Sequence, residues 1–239
     1  MAQQRTQPLF AVLIDADNIP AKFAEDILRE ITSFGEPALR RVYGDWSSGR
    51  LRNWSEKVRD LGLIAYQETS NTTGKNASDI GLVIDAMDIL HSGRFDGFAL
   101  VSSDSDFTRL AARIRENGLE VIGIGERKTP ESLRNVCNRF IFLENIVEES
   151  EPQAKGKKGA QTSKLPPDKA ARLIREAMEK VDPEGEWYHL GQLGQTITAA
   201  HPDFDTRTYG FRKLSDLVGQ LKQFEIRRKG NMLEVRRLD

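Results

Sequence analysis

Two aspartates one residue apart, Asp104 and Asp106, follow the apolar run "GFALV" and stand where a helical pattern begins at Phe107. A third, Asp15, ends the first apolar run, "LFAVLID", with Asp17 and Asn18 directly after it. A fourth, Asp79, lies in "GKNASDIGLVIDAMDIL", in the first turn of an expected helix capped by Asn76 or Ser78. Two unit charges about 4 Å apart repel by about 4 kcal/mol at an effective dielectric of about 20, so four gathered carboxylates call for a countercharge. A divalent cation supplies it, and an all-oxygen site suits Mg²⁺ or Mn²⁺. Such an ion can generate hydroxide from water and stabilise a leaving oxygen, which is the chemistry of phosphodiester hydrolysis. Asp15, Asp79, Asp104 and Asp106 are therefore the candidate catalytic residues and metal ligands. Asn18 and Lys75 are candidates for substrate contact. Ser102, Ser103 and Ser105 are expected to hold the loop through backbone hydrogen bonds. Asp85, Asp88 and Asp96 read as solvated or loop-bound, and Ile80, Val83, Ile84 and Met87 as the buried stripe of the Asp79 helix.

These acids share a cleft only if the elements beneath them are arranged suitably. From residue 8 to residue 147, apolar runs such as "FAVLI" and "FALV" alternate with helical periodicity, the signature of βαβ units around a parallel sheet. The runs lack polar alternation, as central strands covered on both faces do. In such folds ligands bind beyond the carboxyl ends of the strands, at the point where strand order reverses. If the first and fourth strands are neighbours there, Asp15, Asp104 and Asp106 meet.

The stretch "ESEPQAKGKKGAQTSKLPPD" is poor in large apolar residues, and residues 148–166 are expected to form a linker. Beyond it, residues 167–239 read as helices over Ala170–Val181, Leu190–Ala200 and Phe211–Leu221, followed by two alternating runs around "KGN", a hairpin signal. Three helices and a hairpin make a winged-helix-like arrangement.

With 35 Lys and Arg against 36 Asp and Glu, overall charge steers no partner, so any nucleic-acid contact must be local. Arg212, Lys213, Arg227, Arg228 and Lys229, with Lys222, Arg236 and Arg237, form the candidate phosphate-binding set. Glu225 and Glu234 dilute it. Tyr209, Phe211 and Trp187 read as core aromatics before base-stacking ones. The single cysteine, Cys137, excludes an intramolecular disulfide and, with no secretory pattern at the start, suggests a cytoplasmic setting. No apolar run reaches the roughly 20 residues of a membrane span.

The motifs "VLIDADN", "KNASDIGLVIDAMDIL", "FALVSSDSDFTRLAARIRENGLEVIGIG" and "FIFLE" together resemble the NYN domain family, a LabA-like branch of the PIN-like nucleases. The resemblance covers nearly all of residues 8–147. It implies a Rossmann-like sheet and metal-dependent cleavage of RNA, with Asp15 as the first-strand ligand, Asn18 as its accompanying asparagine, Asp79 as the central-helix acid, and Asp104 and Asp106 as the fourth-strand pair. The tail, above all "YGFRKLSDLV" and the wing after it, resembles the OST-HTH domain, also called LOTUS, which implies binding of RNA or of a protein partner. The expected activity is a metal-dependent endoribonuclease, with a homodimer allowed for. The alternatives are a non-catalytic RNA-binding or scaffold protein with a vestigial nuclease fold, and an aspartyl-phosphate phosphatase. The phosphatase scheme fits poorly, because Ile19 falls one place short of the usual spacing beyond "DAD".

Overall fold

The side chains of Leu9–Asp15 (β1) alternate between two apolar layers, Phe10, Val12 and Ile14 on one side and Ala11 and Leu13 on the other. A strand buried on both faces belongs in the middle of a sheet. In the computed structural model, which describes residues 7–67, 77–150 and 164–238, β1 is central to six parallel strands in the order β3-β2-β1-β4-β5-β6. The others are Glu36–Gly44 (β2), Ile64–Gln67 (β3), Gly97–Val101 (β4), Glu120–Gly125 (β5) and Arg139–Phe142 (β6). Helices Ala24–Thr32 (α1), Arg52–Asp60 (α2) and Leu143–Ser150 (α6) accompany the Phe10 layer, into which Ile27, Ile31, Trp54 and Ile146 pack. Helices Ala77–His91 (α3), Thr108–Glu116 (α4) and Glu131–Val136 (α5) accompany the Ala11 layer through Leu82, Leu110, Ile114 and Leu133. The sheet is thus wound in both directions from β1 and β4, whose shared border is the switch point expected from the sequence.

The ring of Phe10 explains two glycines near the strand starts. A Cβ on Gly97 would stand 2.5 Å from Phe10 Cε1, and one on Gly35 would stand 2.4 Å from the Pro8 carbonyl and 2.9 Å from the same ring.

The chain divides into two compact units, Met1–Gln153 and Ala154–Asp239. In the second, helices Asp168–Val181 (α7), Leu190–Ala200 (α8) and Leu214–Gly219 (α9) surround a core that includes Ala171, Ile174, Leu193 and Leu217. Strands Tyr188–His189 (β7), Phe224–Lys229 (β8) and Met232–Arg237 (β9) form an antiparallel sheet in the order β7-β9-β8. The sequence reading differs at α9, expected from Phe211 but beginning at Leu214. Gly210 has φ 88°, a left-handed turn that ends the 3₁₀ segment Thr206–Tyr209, and Lys213 is extended. Phe211 and Leu214 still pack against this core, so helical spacing and burial agree there without a continuous helix.

Candidate active site at the strand switch point

Ile14 pairs with Val101, so Asp15 and Ser102 are the next residues on two adjacent strands. The Asp15 side chain lies within the fold at 3% exposure, and four donors converge on its carboxylate. Oδ2 accepts from Asn18 Nδ2 at 2.6 Å and Ser102 Oγ at 2.8 Å, while Oδ1 accepts from the backbone amides of Asp17 at 3.2 Å and Asn18 at 3.3 Å. Burial raises the pKa of Asp15, against the lowering pull of its bonds to Asn18 and Ser102. The turn that makes this possible closes through the Ile19 amide to the Asp15 carbonyl, and Trp54 Nε1 holds the Ile19 carbonyl at 2.8 Å.

On the neighbouring strand, Ser102 Oγ also accepts the Asp104 amide at 3.1 Å. One hydroxyl therefore joins the β1 carboxylate to the β4 loop. The backbone bond expected of Ser102 is therefore present, and its hydroxyl hydrogen goes in addition to Asp15. Asp104 is extended and caps a short 3₁₀ turn, Ser105–Phe107, its Oδ1 accepting the Asp106 amide at 2.9 Å. Phe107, buried at 2% exposure, pins that turn, leaving Asp106 on the surface. Ser103 is tied to the next strand end, accepting the Glu126 amide at 2.9 Å.

Asp15, Asn18, Asp104 and Asp106 thus share one end of the sheet. Asp79 lies in the first turn of α3, with its side chain outside the described residues, and Lys75 also lies outside them. A further acid was missed in the sequence. Asp45 follows β2, its amide donating to Asp17 Oδ2 at 3.4 Å, and its carboxyl is held below the usual range chiefly by hydrogen bonds from Ser47 and Gln67. "VYGD" carries the same signal as "VLID", an acid at the end of an apolar strand, and would have flagged it. Two readings of α3 are corrected. Asp85 is neither solvated nor loop-bound: it takes hydrogen bonds from Arg41 and the Tyr43 hydroxyl. The buried face is Leu82, Ala86, Ile89 and Leu90, while Ile80 and Ile84 are 60% and 59% exposed. Apolar residues recur all round α3, so periodicity alone does not orient it, whereas the buried Leu82, Ala86, Ile89 and Leu90 and the tether at Asp85 do.

In the second unit, Arg212, Lys213, Arg227, Arg228 and Lys229 are all exposed, but not equally available. Arg227 and Lys229 pair with Glu234 at 2.7 and 3.6 Å, and Arg236 pairs with Glu225 and Glu186 at 2.7 and 2.8 Å. The Arg227 and Arg236 guanidinium carbons stand 3.7 and 4.9 Å from the Trp187 ring centre, so that indole is covered by cations instead of joining the core. Lys213 lines a groove of about 620 Å³ with Leu190, Leu214, Met232 and Leu233. Tyr209 and Phe211 pack against the core, as their spacing predicted.

The model of the NYN domain matches residues 10–144, more than half of the chain and all of this sheet except Leu9. The chain belongs to the NYN domain family. A second match, to the OST-HTH/LOTUS domain, covers residues 162–235. No curated protein matches the chain. Among solved structures, a protein of unknown function from Vibrio parahaemolyticus is 23% identical over 58% of this chain and 94% of its own, with a TM-score of 0.49. An uncharacterized protein from Nitrosomonas europaea is 27% identical over 37% of this chain and 88% of its own, with a TM-score of 0.28.

The NYN domain belongs to a nuclease superfamily whose members generally use divalent metals, and OST-HTH/LOTUS domains are known for RNA binding. The donor chemistry of this NYN domain fits such an ion. Its candidate strand-end groups all offer oxygen, and Asp15 is a desolvated carboxyl whose ionised form would gain from a nearby cation. Among the described residues, no group of three or more His, Cys, Asp and Glu side chains is gathered closely enough to hold one.

Proposed function

We propose that this chain is a metal-dependent endoribonuclease that hydrolyses RNA phosphodiester bonds at the β1–β4 switch point, its second unit holding RNA or a protein partner. The observation that supports this most is the pair of bonds made by Ser102, which fixes Asp15 and the Asp104 loop to each other across two strands. Asp15, Asp79, Asp104 and Asp106 would hold Mg²⁺ or Mn²⁺, which when bound supplies activated water and charge stabilisation at the leaving oxygen. Asn18 orients Asp15, and Lys75 meets substrate phosphate. In the second unit Arg212, Lys213 and Arg228 provide the main phosphate contacts, because Arg227 and Lys229 are already engaged by Glu234. The buried Cys137 thiol, pushed up to about 12 by burial, suits an inert structural residue in a reducing, cytoplasmic setting.

The test is incubation of the purified chain with labelled single-stranded, hairpin and duplex RNA and their DNA counterparts, with Mn²⁺, Mg²⁺ or chelator. Metal-dependent cleavage of at least one RNA is expected. Binding without cleavage of any substrate would instead support a non-catalytic RNA-binding protein, a reading favoured by the use of one Asp104 oxygen to cap its own turn.

A further inference from the structure

The groove of about 620 Å³ in the second unit lies between the starts of α8 and α9 and the tip of the β8–β9 hairpin. Gly191 and Gly194, three residues apart on one face of α8, line it without side chains. A Cβ on Gly194 would come 3.3 Å from Leu214 Cδ2, whereas one on Gly191 would meet nothing within 4 Å, so the groove is open there. Leu190, Leu214 and Leu233 add aliphatic wall. Leu233 is two residues from the core residue Val235 on β9, so strand alternation turns it towards the helices, and it packs against the same core. The cations around these side chains are unopposed. Lys213 lines the groove, and no carboxylate among the described residues does. Arg228 pairs across the ladder with Leu233, which sends its side chain to the same side of the sheet, with Cβ atoms about 5 Å apart. Both are exposed, and neither makes an ion pair among the described residues. Asp216, in the first turn of α9, is outside the lining and accepts from Ser215 Oγ at 3.2 Å.

We propose that this groove docks a peptide segment of another protein that combines large aliphatic side chains with an acidic residue, the aliphatic groups between Leu190, Leu214 and Leu233 and the acid on Lys213 and Arg228. Aliphatic wall beside unpaired cations calls for both chemistries in one ligand. RNA supplies only the negative charge, because the groove has no aromatic wall among the described residues on which a base would stack. The internal stretches outside the described residues, 68–76 and 151–163, contain no Leu, Ile, Val, Phe, Met, Tyr or Trp, so they bring no occupant of this kind. Lys213 and Arg228 also belong to the phosphate-binding set, so peptide and RNA would compete for them. The proposal rests on the reading of the second unit as a binding domain and names the protein chemistry it takes. It shares no residue with the switch point, so its failure leaves the nuclease reading standing.

Selection of a phage-displayed random dodecapeptide library on the full chain, followed by fluorescence anisotropy with the selected peptides in synthetic form, tests the assignment. The selected sequences are expected to share aliphatic residues and at least one Asp or Glu. Gly191→Leu, which fills the groove from a helical position with open space beside it, should weaken their binding by about tenfold or more. Lys213→Glu should do the same, the scale of a charge-assisted hydrogen bond. Circular dichroism checks that each variant is folded, and Lys213 is on the surface, so its variant tests the site even if Gly191→Leu fails to fold. A labelled single-stranded RNA is titrated alongside. The proposal is overturned if no peptide is selected, if the selected peptides lack aliphatic or acidic residues, or if either folded variant binds them as wild type does. Loss of RNA binding in Gly191→Leu with peptide binding intact would also overturn it and assign the groove to RNA.

Discussion

Ser102 donates to Asp15 and accepts from the Asp104 amide, so removing its hydroxyl acts on both strand ends at once. Ser102→Ala should cost about 1–3 kcal/mol in urea unfolding, because the Asp104 amide loses its acceptor and Asp15 a donor. Cleavage should fall by about 10- to 100-fold, the usual effect of losing a group that orients a metal ligand, and Ser102→Thr should restore most of it. Asp15 also makes a pH prediction. Its folded pKa is raised by burial above the ordinary 3.8, so in chelator the folded chain holds that proton more tightly than the unfolded chain does. Stability contributed by Asp15 therefore falls as pH rises from the ordinary value through the raised one, and the penalty is complete above it. Denaturant unfolding at a series of pH values should show wild type gaining on Asp15→Asn as the solution is acidified. A wild type that loses ground on acidification would mean that the fold stabilises the ionised form.

At the scale of elements, the helix α3 separates what the sequence reveals from what it hides. Strand ends are legible because polar residues break the pattern there: an acid at or just past an apolar run marks a boundary and a candidate site, as at Asp15 and, two serines after its strand, at Asp104. The parallel α/β class was also legible, whereas the adjacency of β1 and β4 stood only as a condition that the strand order meets. The rotation of α3 was not, because Ile80, Leu82, Val83, Ile84 and Ala86 are all apolar, and the face is set by packing of Leu82, Ala86, Ile89 and Leu90 together with the remote partners of Asp85, Arg41 and Tyr43. The bond from Ser102 to Asp15 was hidden for the same reason, since its acceptor lies 87 residues away. Leu82→Ala should therefore cost about 2–5 kcal/mol by urea unfolding, whereas Ile84→Ala should cost much less, the reverse of an Ile80/Ile84 stripe facing the core. The wing repeats the lesson. Its arginines were visible, but not the cross-strand register that sets Arg227 opposite Glu234 and Arg236 opposite Glu225.

Across the whole molecule, the two units have separate apolar cores, one pair of layers around the parallel sheet and one cluster beneath the small antiparallel sheet. Expressed separately as residues 1–153 and 154–239, each should fold and unfold cooperatively, as circular dichroism and urea titration would report. Among the described residues no helix is long and apolar enough to cross a membrane. The division of labour proposed for the chain puts chemistry in the NYN domain and binding in the tail, so the first unit alone should retain cleavage with weaker RNA affinity. The most direct measurement is cleavage of a labelled RNA in Mn²⁺ by wild type beside Asp104→Asn, with circular dichroism verifying that both are folded. Metal-dependent cleavage by the wild type, abolished in the folded variant, is the predicted result. Equal cleavage by the two proteins would contradict the assignment of the β4 acids to the reaction.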